Sequence, residues 1–343
     1  TLHNLASDMR YYKNRGVWGF WTESGYAWMK THLNCYVRGK LMWDVEQDVP
    51  ELVRDYCEKF YREAADPVEK YIWTLEKAVE QSNLHVTWGR LMRWELNLAN
   101  VLDDLDELIA EAERRVKDED IKERVHVLRL THDHLRAYIA MEEAAIQGKF
   151  ADGVRWGKRM LEIRYEAEAI ARGLITKTPE FRKGFRTTIE WHIDQYQALA
   201  DLAGGEKGEL FSLLPRQWKF KKDPHDVGVI YQWYNEQADD GWQPIDTTIY
   251  WEAQGHVDDH DWGYKGKAWY QTDFEVPAEK AGQPLWLTIG AVYNRGVWIW
   301  VNGQMVKFDM QRHWRLGHHD VREPIHLDIT KLARPGEKNK VAV

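Results

Sequence analysis

The chain has 343 residues, of which 44% are hydrophobic and 30% charged, with a formal net charge of -8. That length predicts about two or three domains, each able to bury a core. An acidic chain with no basic stripe excludes nucleic acid as the partner, and no apolar run is long enough to span a membrane.

The excess residues are 19 Trp and 16 Tyr. Aromatic faces stack on the C–H faces of sugars, but they fill cores and interfaces equally well, so composition alone does not choose. Cys35 and Cys57 make neither a disulfide framework nor a zinc site; both fall in helical patterns and read as buried free thiols. The chain starts at Thr1 and stops in "NKVAV", which reads as mid-strand. It is therefore expected to be a piece of a longer protein, and the missing leader says nothing about compartment.

From the N-terminus, "VWGFW" after Gly16 reads as one buried strand, and "AWMKTHLNCYVRGKLMW" reads as a helix over 27–43. Asp48, with Glu51 three residues on and Pro50 between them, predicts a helix start. Leu52, Tyr56, Phe60, Tyr71 and Leu75 then recur at helical spacing, as do Leu98, Leu102, Leu105 and Ile109. "IKERVHVLRLTHDHLRAYIAMEEAAI" and "DGVRWGKRMLEIRYEAEAIARG" predict two further long helices joined at "QGKF". Thr178-Pro179 restarts a last one. Such a run predicts antiparallel helices joined by short loops.

Near "LAGGEKGE" the hydrophobic period shortens. "GVIYQWY", "KAWYQTDFEV", "PLWLTIGAV", "GVWIWVNGQMVKF", "IHLDIT" and "KVAV" read as short strands between turn residues, the pattern of an antiparallel β-sandwich. Asn302-Gly303 suits a tight hairpin, whose central residues need positive φ. The pentapeptide "NRGVW" occurs at Asn14–Trp18 and Asn294–Trp298; neither flank matches and no period links the copies, so the repeat reads as coincidence.

"GVWGFWTESG" reads as a strand ending in Glu23 that leads into a helix. In barrels built of such units the catalytic groups sit at the C-terminal ends of strands, with Trp18, Trp21 and Tyr26 close by in sequence. A glycosidase needs two carboxyl groups; Asp44 is a weaker second. On the residues alone, a helix N-cap or strand-end surface role for Glu23 stands ahead of catalysis. "GHVDDHDWG" and "RLGHHD" lack a metal-ligand spacing and read as solvated turns, so no metal or other cofactor is assigned; Ca²⁺ in the sandwich loops is the one alternative. His132 and His134, two apart on a helix, do not share a face and read as surface residues.

Two resemblances add to this. "DMRYYKNRGVWGFWTESG" and "LNCYVRGKLMWDVEQDVPELVRDYCEKFYREAADPVEKYIWTLE", about residues 8–80, resemble the closing part of a domain in glycosidases related to α-glucuronidases and, more distantly, to hexosaminidases. The resemblance implies the end of a (β/α)8 barrel followed by a helical domain. It also implies that Glu23 lies at the substrate end of a late barrel strand and that Trp43 and Asp44 border the same region. "FYREAAD" departs from the usual Tyr-Gly pair, which touches helix packing. "GKAWYQTDFEVP", "LWLTIGAVYNRGVWIWVNGQMV" and "IHLDITKLARPGEKNKVAV", about residues 240–343, resemble the sugar-binding jelly roll of family 2 glycosidases. There Trp269, Phe274, Leu287, Ile289, Ile299 and Val301 are expected to alternate toward the core. The loop residues Trp262, Tyr264, Asn294, Arg295, Arg312, His313 and Trp314 are candidates for sugar contact, with a purely structural brace as the even alternative.

The fold expected is therefore multidomain α plus β. It comprises the C-terminal piece of a (β/α)8 barrel over 1–48, an α-helical bundle over 49–205 and an antiparallel β-sandwich of galactose-binding-like jelly-roll type over 206–343. The function expected is part of a glycoside hydrolase acting on a poly- or oligosaccharide, with an acidic or N-acetylated sugar in view. This piece alone is expected to be inactive. A non-catalytic carbohydrate-binding or scaffolding protein is the alternative. Carbohydrate is the expected partner, with no nucleic acid and no membrane, in a secreted, periplasmic or cell-surface setting.

Overall fold

A computed structural model describes residues 1–19, 27–82, 94–171, 173–175, 188–204, 207–236, 241–257, 264, 266–290, 296–309 and 324–343. It is a mixture of helices and antiparallel sheet. The chain divides into two compact units, Thr1–Asn83 with Trp94–Ala144 and Asp152–Glu190, and Leu84–Arg93 with Ala145–Ala151 and Trp191–Val343.

The first unit is helical. Its helices are α1 (Leu2–Asn14), α2 (Trp28–Trp43), α3 (Val49–Phe60), α4 (Ala65–Glu80) and α5 (Leu102–Arg115), with most of α6 (Glu119–Ile146) and α7 (Phe150–Ile170). The predicted start of α3 is present: Asp48 accepts a hydrogen bond from the Glu51 N–H at 2.9 Å, with Pro50 in the first turn. The apolar stripe of α3 (Leu52, Val53, Tyr56, Cys57) packs with Val37 and Leu41 of α2, Val68 and Tyr71 of α4, and Leu105 and Ile109 of α5 in one core. Cys57 is buried and Cys35 half-buried, both free. "NLANV" begins as a 3-10 stretch before α5 takes over at Leu102.

Two expectations for this unit need correction. Val17–Gly19 form no strand, and Trp18 is 99% exposed; the remainder of "VWGFW" lies outside the described residues. His132 and His134 are 0% and 3% exposed, not surface residues. α6 buries side chains all round its circumference, from Ile121 to Ala144, so opposite faces of the helix both meet protein. The restart at Thr178-Pro179 lies outside the described residues, and α8 runs over Thr188–Ala203.

The second unit carries the strands β1 (Gln217–Asp223), β2 (Gln243–Asp246), β3 (Lys267–Glu275), β4 (Trp286–Ile289), β5 (Val297–Val301), β6 (Gln304–Asp309), β7 (Ile325–Asp328) and β8 (Lys338–Ala342). Six form one sheet in the order β2-β1-β3-β8-β5-β6, and β4 pairs with β7 in a second; every pairing is antiparallel. Phe220, Ile299, Val301 and Val341 from the larger sheet share a core with Leu287 and Leu327 from the smaller. Asn302 and Gly303 turn the β5–β6 hairpin at φ 49° and 79°, as the turn type demands.

"GVIYQWY" is not a strand. Residues 224–235 form successive turns, and Asp223 explains them. Its buried carboxylate accepts from the Val227 and Gly228 N–H groups, both at 2.8 Å, and from Trp269 Nε1 at 3.0 Å. The strand is instead "QWKFKKD", just upstream, where Trp218 and Phe220 point inward on either side of Lys219. Trp269 is also misassigned. Side chains in a strand alternate faces, so Trp269 and Phe274, five apart, cannot share one. Phe274 packs on the inter-sheet core, whereas Trp269 joins Trp300, Trp233 and Tyr234 in a separate aromatic cluster.

Candidate functional site

In the first unit, two of the candidates that can be placed, Trp43 and Asp44, stand at the C-terminal end of α2, and the third, Trp18, follows α1. Asp44 ends that helix in extended backbone (φ -144°, ψ 110°). Its Oδ1 accepts the Glu46 N–H at 3.0 Å, and Gln47 Nε2 donates to the Lys40 carbonyl at 2.8 Å, so the turn closes on itself. Arg10 Nε of α1 donates to the Val45 carbonyl at 3.2 Å, which ties α1 to the same turn. Trp43 stands on this end with 92% of its surface exposed, and Trp18 follows the end of α1 with 99% exposed. Large aromatic faces left this open suit stacking on a sugar or on further protein. Asp44 itself is engaged in shaping the turn. Glu23, Trp21 and Tyr26 lie outside the described residues.

In the second unit, a cavity of about 2020 Å³ is lined by Trp251, Tyr264, Trp286, Trp298 and His326, with Gln195 from α8 on its wall. Gln195 Nε2 donates to the Gly290 carbonyl at 2.6 Å, fixing α8 to the end of β4. Of the predicted sandwich candidates, Tyr264 is the one among the described residues, and it lies in this wall. Its hydroxyl donates to the Lys267 carbonyl at 3.0 Å, its ring meets Trp251 edge-on at 5.8 Å, and the Lys222 ammonium sits 5.1 Å from the ring centre. Burial raises its pKa above the ordinary tyrosine value. Trp262, Asn294, Arg295, Arg312, His313 and Trp314 lie outside the described residues. Such a trough, several times the volume of a monosaccharide site and walled by indoles, can hold an extended apolar-faced ligand such as an oligosaccharide.

The hallmark asparagines of the sandwich prove structural. Asn302 donates to Asn339 Oδ1 at 2.8 Å and to the Leu332 carbonyl at 2.7 Å, and its own oxygen accepts the Lys340 N–H at 2.9 Å. Asn339, 1% exposed, also accepts the Arg334 N–H and donates to the Arg334 and Glu337 carbonyls. "VNG" and "NKVAV" therefore lock to each other rather than to a ligand. Sequence reasoning missed Trp251, Trp286 and Trp298 as cavity residues. The signal was available in β5, where "VWIWV" alternates indole and aliphatic.

Three comparisons bear on this arrangement. Residues 1–73 match a family described as a domain of unknown function (DUF4838). A β-glucuronidase of Paenibacillus borealis is 30% identical over 131 residues, which are 37% of this chain and 19% of that protein. A β-glucuronidase from Ruminococcus gnavus in complex with N1-substituted uronic isofagomine matches at 28% identity over 37% of this chain and 20% of its own, with a TM-score of 0.31. The same enzyme in complex with D-glucuronic acid matches at 25% identity over 39% of this chain and 23% of its own, again with a TM-score of 0.31. The chain thus spans about a fifth of the length of these relatives, 19% of the curated one. Over that part it is similar to glycoside hydrolases of the β-glucuronidase kind.

Proposed function

We propose that this chain is part of a glycoside hydrolase acting on a poly- or oligosaccharide that contains an acidic sugar. The observation that carries the reading is the 30% identity to a β-glucuronidase over 131 residues, which turns the choice between acidic and N-acetylated sugars toward the acidic. In this reading residues 1–48 close a (β/α)8 barrel, 49–205 form the helical domain and 206–343 form the jelly roll. Glu23 supplies one carboxylate, as base or substrate-positioning group, and Trp18 and Trp43 offer stacking faces. Hydrolysis needs a second carboxyl group. Asp44 is poorly suited, because its oxygen already holds the Glu46 N–H. A secreted, periplasmic or cell-surface setting belongs to the same reading.

The second reading, a carbohydrate-binding or scaffolding protein without catalysis, is favoured by the exposure of Trp18 and Trp43 and by the aromatic-walled cavity. The test is a panel of p-nitrophenyl glycosides given to the natural protein that carries this chain: β- and α-glucuronides, N-acetyl-β-glucosaminide and β-galactoside. The expected result is hydrolysis of a glucuronide well ahead of the others. Glycan binding with no hydrolysis of any member would favour the second reading.

A further inference from the structure

One cluster in the helical unit belongs to neither surface described above. Lys30, in the first turn of α2, places Nζ 3.2 Å from His134 Nδ1. On the other side of that imidazole, Arg164 of α7 donates from Nε to His134 Nε2 at 3.1 Å. α2 is anchored at this point by two further contacts, the Met29 N–H to the Leu174 carbonyl at 2.9 Å and Thr131 Oγ1 to the Met29 carbonyl at 2.9 Å. The three nitrogen groups are thus held next to one another by α2, α6 and α7.

Donor counting gives the protonation state in which both contacts are hydrogen bonds. A guanidinium has no acceptor, so His134 Nε2 must accept from Arg164. A neutral imidazole carries one proton, which then sits on Nδ1 and donates. The partner facing Nδ1 has to accept, and a lysine accepts only as the free amine. The imidazolium is excluded on the same count, because it would aim a second donor at Arg164. The surroundings agree. Burial, with Lys30 and Arg164 beside it, holds His134 well below the ordinary histidine value. Crowding by protein, then the Arg164 charge, lowers Lys30 to about 8 against an opposing pull from Glu95. Lys30 is nonetheless an exposed residue, crowded enough to lose hydration and open enough to meet a small molecule.

We propose that Lys30 is a carbonyl-reactive amine that takes a small aldehyde carrying an acidic group. The Nζ lone pair attacks the carbonyl carbon and a C–N bond forms. The two amine protons leave with the carbonyl oxygen as water, and a C=N bond remains. Arg164 provides the positive charge that favours an acidic aldehyde over a neutral one. The inference is independent of the glycosidase reading, since it uses neither Glu23 nor the sandwich.

The test is reductive trapping at pH 7.5 on the whole protein, with glyoxylate or neutral glycolaldehyde and cyanoborohydride, each lysine being quantified by peptide mass spectrometry. With a pKa near 8 the free-amine fraction exceeds that of an ordinary lysine by about two orders of magnitude, part of which is lost to lower intrinsic nucleophilicity. The expected advantage of Lys30 over the exposed Lys158 and Lys207 is therefore roughly tenfold, larger with glyoxylate than with glycolaldehyde. Arg164→Met frees His134 to accept from a lysine ammonium, so it should slow Lys30 without altering Lys158. As a readout that needs no variant, the pH dependence of Lys30 acetylation in the unaltered protein should have its midpoint near 8. Labelling of Lys30 no faster than the surface lysines, or a midpoint in the ordinary lysine range, would overturn the proposal; equal reaction with the two aldehydes would overturn its acidic-ligand part.

Discussion

His132 has no exposed surface, and neither ring nitrogen finds a hydrogen-bond partner among the described residues. It stands edge-on to Tyr71 at 6.0 Å and 3.7 Å from Asp106, whose carboxylate is held by Arg129 and Arg136. Burial lowers its pKa to about 4, because Arg129 and Arg136 work against the favourable pull of Asp106. Unfolded histidine titrates near 6.5, so between those values the unfolded chain binds a proton that the native one refuses. Stability is complete above about pH 6.5 and falls as pH drops toward 4, by about 3 kcal/mol for this residue. His132→Phe keeps the ring and removes the titration. Urea unfolding at pH 7.5 and 4.5 should show a pH penalty smaller by roughly that amount; an unchanged penalty would clear His132 of the effect. The sequence hid this residue and His134 for one reason. Two positions apart on a helix means different faces, and α6 is covered on both, which no single-chain periodicity displays.

At the scale of elements, local chemistry was legible wherever a residue type leaves little choice of backbone. Asp48 caps α3 through one side-chain oxygen, and Asn302-Gly303 adopts the left-handed pair that a tight hairpin needs. Asp48→Ala removes the acceptor for an otherwise unpaired helix N–H and should cost about 1 kcal/mol. Asp48→Asn should cost a few tenths. Thermal denaturation of the two variants separates them, and equal losses would show that charge near the helix end outweighs the cap. Legibility failed where a buried side chain overrode propensity. "GVIYQWY" is rich in strand formers, yet the Asp223 carboxylate gathers its first amide, Gly228, and that of Val227 just before it into turns. The Trp269 indole that shares that carboxylate is drawn to the opposite face from Phe274.

For the whole molecule, the change from helical to alternating period near residue 205 foretold where α8 ends, at Ala203, whereas the first strand begins at Gln217, ahead of the first one read from the sequence. The mixed helical and antiparallel character follows from that change. The candidate site was less legible, because a single carboxylate such as Glu23, expected from the sequence to end a strand, acquires meaning only from groups far away in sequence. Trp18 and Trp43 were named from sequence and stand exposed; Asp44 was named and is occupied by its turn; the indole-walled cavity went unseen because its lining comes from several separate strands and loops. The measurement that tests the central claim most directly is kcat/KM for a p-nitrophenyl glucuronide with the natural protein and its Glu23→Gln variant, folding being matched by circular dichroism. Loss of a carboxylate acting at the reacting centre should lower the rate by about 10²-fold or more. An unaltered rate would contradict the account.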